Sequence, residues 1–261
     1  MPRQARRKSV SRIYHIILRG ANKQEIFHDV YDRSRFLEIL DRCQRKVDFS
    51  LYGWCLMGNH VHLLMKEGEE SISNTMRRIG VSYAMYYNTK YQTIGHLFQD
   101  RFKSENVEDR RYLMTVIRYI HQNPVKAGLV GKPEEWNWSS CAGYYGSKRQ
   151  HPWKIVDERF ILQLFSEEES KARALFKEFN EERNPYEDEC MDPYTPRRKL
   201  TDEEARTAIQ KVISPMEVPH VKSLPRAQRT RTLLKIKRIN GVTQRQAARI
   251  LGISESLVFK A

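Results

Sequence analysis

The first 130 residues switch repeatedly between two hydrophobic periods. From Ser11 the run SRIYHIILRG is rich in β-branched and aromatic residues and stops at Gly20, which predicts a strand followed by a loop, GANKQ. In DRSRFLEILDRCQRKV the residues Phe36, Leu37, Leu40, Cys43 and Val47 recur at helical spacing, with Asp32 as the expected N-cap. FSLYGWCLM and HVHLLMK read as two strands separated by Gly58-Asn59. That predicts a β-hairpin in which Gly58 supplies the positive φ needed at the first position of a type II′ turn. Residues 71–91 carry Ile72, Met76, Ile79, Tyr83, Tyr86 and Tyr87 at three- and four-residue steps, a second helix. GHLFQDRFKSENV reads as a loop entering a strand. Asp109 then caps a third helix with Leu113, Val116, Ile117 and Ile120 on its apolar face, expected to end near Pro124. The order β-α-β-β-α-β-α predicts an α+β fold: an antiparallel sheet backed by helices, of the split βαβ or ferredoxin-like kind.

The pattern changes after about residue 150. SEEES, KEFNEER and YEDEC make the stretch to 196 strongly acidic, and it reads as a solvated helical connector. Near the end, GVTQRQAARILGISESLVFK reads as a helix, a Leu251-Gly252-Ile253 turn, and a second helix capped by Ser254. Ala247, Ile250, Leu251, Ile253 and Val258 have the spacing of a helix-turn-helix core. The expected organisation is a sheet-based domain over 1–150, the connector over 151–196, and a helical unit over 197–261. If that unit binds duplex DNA, Glu255 and Ser256 at the start of the second helix enter the major groove. A structural helical hairpin or a protein contact is the other reading.

Charge narrows the partners. The chain of 261 residues has 46 Lys and Arg against 32 Asp and Glu, a formal net charge of +14, which points to a polyanion. No apolar run approaches a membrane span and MPRQARRKS lacks the apolar stretch of a signal peptide. The expected location is therefore cytoplasmic and, with DNA as partner, nucleoid-associated, with no membrane contact. Cys43, Cys55, Cys141 and Cys190 form no CxxC pair and indicate neither a zinc knuckle nor a disulfide framework.

Candidate chemistry sits in MGNHVHLLM. Side chains alternate across a strand, so His60, His62 and Leu64 share one face and Val61, Leu63 and Met65 the other. Two imidazoles on one face can hold a metal ion from one side and leave its remaining positions open, as Lewis-acid catalysis requires. HxH is also common in proteins, and a strand histidine is more often a hydrogen-bonded core or surface residue, so the pair alone leaves both readings open. In IRYIHQNPVKAGLV, Tyr119 and Asn123 lie one helical turn apart, which would put an amide oxygen beside a phenol. His121 lies roughly on the opposite side of that helix and reads as a support or surface residue. His15, His28, His96, His151 and His220 have no partner spacing. Arg19, Lys23, Arg101, Lys103 and Lys126 are candidate phosphate contacts, interleaved with Phe98, Phe102 and tryptophans on which bases can stack. Trp136 and Trp138 equally suit core anchors.

Five ordered stretches resemble one family: RGANKQEIF (19–27), WCLMGNHVHLL (54–64), GHLFQDRFKS (95–104), YIHQNPVKAGLV (119–130) and WNWSS (136–140). Over roughly its first 145 residues the chain is similar to the HUH endonucleases, which carry two histidines around a bulky apolar residue, here His60-Val61-His62. Among these it resembles the single-tyrosine transposases of insertion sequences and the REP-associated tyrosine transposases. The resemblance implies a metal-dependent endonuclease and strand transferase acting on single-stranded DNA with a hairpin. It implies Tyr119 as nucleophile, His60 and His62 as ligands of Mg2+ or Mn2+, and Asn123 in the place of a third ligand that is often glutamine. Relatives work as homodimers with the tyrosine supplied in trans or as monomers, and both assemblies are open. Two other readings are a noncatalytic or domesticated DNA-binding regulator that keeps the fold, and a replication-initiator or relaxase nuclease. The matched motif contains no second nearby tyrosine and no helicase segment follows, which disfavours the last.

Overall fold

Strand β1 (Ile13–Arg19) leads into α1 (Val30–Val47), then β2 (Ser50–Leu56), β3 (His60–Lys66), α2 (Ile72–Tyr91), β4 (Lys103–Asn106) and α3 (Arg110–Lys126). These elements come from a computed structural model that describes residues 7–147, 154–182, 200–237, 239 and 241–260. The four strands form one sheet in the order β2-β3-β1-β4, and every neighbouring pair is antiparallel. This is the expected α+β, ferredoxin-like arrangement.

Both faces of the sheet are covered, and the strand alternation decides which residues go where. Tyr14, Ile16 and Leu18 of β1 and Val61, Leu63 and Met65 of β3 pack beneath α1 and α2, with Phe36, Leu40, Met76 and Ile79 among their neighbours. Ile13 and Leu64 face the other way, onto Leu113, Val116, Ile117 and Ile120 of α3. The helix comes close to the sheet because Gly53 in β2 has no side chain; a Cβ there would collide with Ile117 Cδ1.

Two local expectations need correction and a third is refined. The N-cap of α1 is Asp29, whose carboxylate accepts the Asp32 N–H, while the Asp32 carboxylate accepts back from Asp29 in a reciprocal capping box. Asp32 is thereby drawn inside, where Lys90 Nζ (2.6 Å), Tyr91 Oη (2.7 Å) and Tyr86 Oη (3.1 Å) surround it. Those donors hold its carboxyl below the usual range against the opposing effect of burial. Gly58 is not in the positive-φ region, so the β2–β3 turn is not type II′. Met57 N–H closes it on His60 O, and it is held from outside by Ile26 N–H donating to Gly58 O and Gly20 N–H to Asn59 O. Finally, α3 passes through Pro124 and ends at Lys126, so Asn123 is fully helical.

The segment expected to be a solvated connector is largely structural. After α4 (Cys141–Tyr144), α5 (Glu158–Leu162) and α6 (Glu169–Glu181) belong to the same unit as the sheet, residues 1–191. The acidic side chains of α6 face water, but Ala172, Phe176 and Asn180 are buried, and Phe176 stacks on Tyr144 and meets the edge of His121. An overall acidic count concealed that stripe. Residues 183–196 of the expected connector, with Cys190, lie outside the described residues, as does His151. Phe176→Ala is expected to destabilise this unit by about 3–5 kcal/mol through the cavity it leaves, readable as a lowered urea midpoint of the full chain; an unchanged midpoint would return α6 to the role of a tether.

His121 sits at 0 % exposure, with Nε2 2.8 Å from Ser140 Oγ. Burial pushes its pKa down to about 3. The native state therefore stays neutral while the unfolded chain protonates below about pH 6.5. Stability is complete above that pH and declines as pH falls toward 3, by about 1.4 kcal/mol per pH unit. Urea unfolding at pH 7 and pH 5 should differ by about 2 kcal/mol from this group. His62, shifted the same way, adds to the loss. A folded His121→Gln variant should show a shallower pH dependence; an identical slope would contradict the assignment.

The second unit, residues 192–261, contains α7 (Asp202–Ile213), α8 (Arg226–Lys237), α9 (Gln244–Leu251) and α10 (Glu255–Lys260). Its core joins Ala205, Ile209, Leu233, Ile236, Leu251 and Val258. Thr243 caps α9, and Gly252 in the left-handed region (φ 65°) ends it, with Ile253 N–H returning to Ala248 O. The order α9, left-handed turn at Gly252, α10 is the helix, turn and helix expected along this stretch. No described helix is long and apolar enough to cross a membrane.

Candidate active site

Cross-strand register builds the site. Across the sheet face under α3, Arg19 lies opposite His60, Ile17 opposite both His62 and Lys103, and His15 opposite both Leu64 and Glu105. His60 and His62 thus point to the same side, with ring centroids 5.0 Å apart and planes nearly perpendicular. The helix lays Tyr119 across this row. Its ring meets His62 edge-on at 5.4 Å and His15 at 5.8 Å. One turn on, Asn123 Nδ2 is 3.3 Å from His62 Nε2, and Lys126 Nζ lies over the Tyr119 ring at 4.5 Å from its centroid.

The site is drier than a strand HxH pattern suggests. His62 is fully buried, Tyr119 is 5 % exposed and Asn123 8 %. Burial, reinforced by His60, His15 and Lys126, pushes the His62 pKa well below the ordinary histidine value. Its imidazole is therefore neutral, the form that binds metals. His60 is half-buried and its Nδ1 is 2.7 Å from Asn59 Oδ1, so the turn residue orients the ring.

His15 was not legible as a member of this group. Its Nε2 lies 3.1 Å from His62 Nδ1, and its Nδ1 3.4 Å from Glu105 Oε2, which also accepts from Tyr112 Oη at 2.8 Å. The contact with His62 is diagonal across the β1–β3 ladder, so no spacing along the sequence announces it.

The expected phosphate contacts divide by position. Arg19, half-buried, and Lys103, exposed, flank the histidines on the sheet, and exposed Lys126 stands beside the tyrosine. Lys23 is exposed in the loop after β1, and Arg101 is exposed in the loop before β4, where its backbone N–H donates to Asp100 Oδ1. Phe102 is in the core beneath α1 and α2, so it is not available for base stacking; Phe98 is partly buried against the same core. Trp136 anchors the β2 edge by donating to Leu56 O. In the second unit Glu255 is exposed and paired with Arg245 at 3.3 Å, and Ser256 Oγ is 3.0 Å from Ser254 Oγ.

The donor set suits a divalent ion. Among the described residues no three His, Cys, Asp or Glu side chains are grouped to hold a metal, so an ion here would have to be held by the two imidazoles and the Asn123 amide. That set is uncharged and leaves the full charge of Mg2+ or Mn2+ for an anionic ligand. His62 fits the role through Nε2, because its Nδ1 is engaged by His15. Asn123 ligation requires its Oδ1 to face the ion where Nδ2 now faces His62.

The resemblance carried by the five sequence stretches is borne out by comparison with known proteins. Residues 8–123 match the family described as "Transposase IS200 like". The chain is 24 % identical over 101 residues to the REP-associated tyrosine transposase of Escherichia coli (strain K12), a match covering 38 % of this chain. The chain spans 58 % of the length of that curated relative. A solved structure described as the REP-associated tyrosine transposase bound to a REP hairpin is 16 % identical, covers 60 % of this chain and 94 % of its own, and superposes with a TM-score of 0.47.

Proposed function

From the IS200-like transposase match of residues 8–123, we propose that this protein is a metal-dependent single-stranded DNA endonuclease and strand transferase that cleaves beside hairpins through a 5′-phosphotyrosine. The observation that carries the reading is Tyr119 lying against His62 on the same buried face, with Asn123 one turn away in the same chain.

In the proposed reaction Tyr119 Oη attacks phosphorus, the bond from phosphorus to the 3′ oxygen breaks, and that oxygen leaves as a 3′-hydroxyl after taking up a proton. The downstream strand remains joined to Tyr119 through its 5′ phosphate. His60, His62 and Asn123 would hold a divalent ion, which would supply positive charge against the phosphate as negative charge develops. A free tyrosine has a pKa of about 10, so its proton must be removed before or during attack. Arg19, Lys23, Arg101, Lys103 and Lys126 neutralise the strand backbone. Because the phosphotyrosine keeps a phosphodiester, another 3′-hydroxyl can attack it and rejoin DNA, which suits transfer better than degradation.

The hairpin component follows from the family resemblance, and the helix-turn-helix of the second unit is assigned to duplex DNA through the start of α10. The test uses oligonucleotides from palindromic DNA flanking the gene. The full chain with Mn2+ should cut them as single strands at one position near the hairpin; uncut oligonucleotides bound with high affinity would favour a noncatalytic regulator.

A further inference from the structure

We propose that Tyr112, Glu105 and His15 form a positioning chain that dictates which nitrogen of His62 carries the proton, and so presents the His62 Nε2 lone pair to the metal. The inference rests on the metal-dependent reading above but is readable without it. His15 and His62 are both at 0 % exposure, so water does not compete for their ring nitrogens. With Nε2 and Nδ1 3.1 Å apart, planes inclined by 22° and centroids 5.3 Å apart, the two imidazoles meet end to end in nearly one plane. One of those two nitrogens must donate and the other accept.

Glu105 decides the direction. An ionised carboxylate only accepts, and Glu105 Oε2 already takes the Tyr112 hydroxyl at 2.8 Å. His15 Nδ1, 3.4 Å away at the long end of the hydrogen-bonding range, therefore carries its proton toward that oxygen. His15 Nε2 is then an acceptor, and His62 Nδ1–H donates to it. The remaining lone pair of His62 lies on Nε2, where the Asn123 Nδ2 donor faces it at 3.3 Å. With the Asn123 amide in this orientation its Nδ2 donates to that lone pair; turning the amide to bring Oδ1 to the ion, as ligation requires, leaves the lone pair on Nε2 for the metal. The direction of the chain is thus set from Glu105 through His15. Outer partners of this kind fix ligand orientation, and their loss typically weakens metal binding roughly 10- to 100-fold. His15 and Glu105 are positioning residues; neither touches the reacting atoms.

The test measures two quantities on the full chain: the His62 tautomer by long-range proton–nitrogen correlation in metal-free protein, and Mn2+ affinity by calorimetry. Wild type should show His62 as the Nδ1–H form. His15→Leu should lose that preference and bind Mn2+ roughly 10- to 100-fold more weakly. His15→Gln, whose side-chain carbonyl can accept from His62, should recover most of both. Glu105→Gln, at a partly exposed position that does not disturb the core, should weaken the preference by removing the acceptor-only end. An Nε2–H form in wild type, or a tautomer unchanged in His15→Leu and Glu105→Gln, would overturn the proposal. So would a loss of Mn2+ affinity with no tautomer change. If wild type shows the Nδ1–H form and His15→Leu loses it while neither binds Mn2+, the positioning chain stands and the metal-dependent reading falls.

Discussion

With His60 and His62 both replaced by alanine, Mn2+-supported cleavage of single-stranded DNA should fall by at least about a thousandfold, the scale on which preorganised electrostatic stabilisation of a transition state is lost. The two positions differ in how cleanly they report. His60 is half-buried at the strand start and its ring is oriented by Asn59. His60→Ala therefore removes a donor with little repacking. His62 is buried among His15, Tyr119 and Asn123, so its loss also opens a cavity and strands the His15 nitrogen. A comparison of single and double variants separates these effects. DNA affinity, assigned to Arg19, Lys103, Lys126 and the loop cations, should stay within a few-fold of wild type. Undiminished cleavage in the double variant would make both histidines ordinary core and surface residues.

Tyr119→Phe should have the larger effect. It removes only the phenolic oxygen and keeps the ring between His15, His62 and the Lys126 ammonium. The variant should fold and bind DNA like wild type, with the same salt dependence. Cleavage should drop by about ten-thousandfold or more, because the oxygen proposed to become the covalent partner is gone. A covalent adduct still formed by Tyr119→Phe would remove this residue from the reaction.

Much of the fold is legible because its signals are local. The period-two run HVHLLMK alone distinguishes the two faces of β3, and Ser71 and Asp109 mark the starts of α2 and α3 where the backbone N–H groups need acceptors. Local signals fail where neighbours decide. Asp32 has the residue type of a cap, and only its buried partners, Lys90 and two tyrosines, show why it is drawn inward and the cap falls to Asp29. The Gly58-Asn59 turn looks like a glycine-driven hairpin but is held by N–H groups from residues 20 and 26. Pro124 looks like a stop, yet its missing N–H falls inside the last turn of a helix pinned by the sheet.

The candidate site follows the same division. The shared face of His60 and His62, and the one-turn spacing of Tyr119 and Asn123, are consequences of strand and helix periodicity. What brings the pairs together is Gly53, which admits α3 against the sheet, and α6, which backs the helix from the other side through Phe176 and His121. His15 and Glu105 depend on the β1–β3 and β1–β4 registers, which no single segment encodes. The acidic composition of α6 hid its buried stripe for a related reason: three inward residues in thirteen are enough to pack a helix.

In the proposed reaction a covalent bond joins Tyr119 to the 5′ phosphate of the cleaved strand. It is tested most directly by incubating the full chain with Mn2+ and a hairpin-bearing single strand labelled at its 3′ end, then separating the products under denaturing conditions. The 3′ label should travel with the protein, digestion should map it to the peptide containing Tyr119, and a 5′-labelled copy should be released as a free fragment ending in a 3′-hydroxyl. Cleavage that leaves the 3′ label free of protein, or an adduct on any other residue, would contradict it.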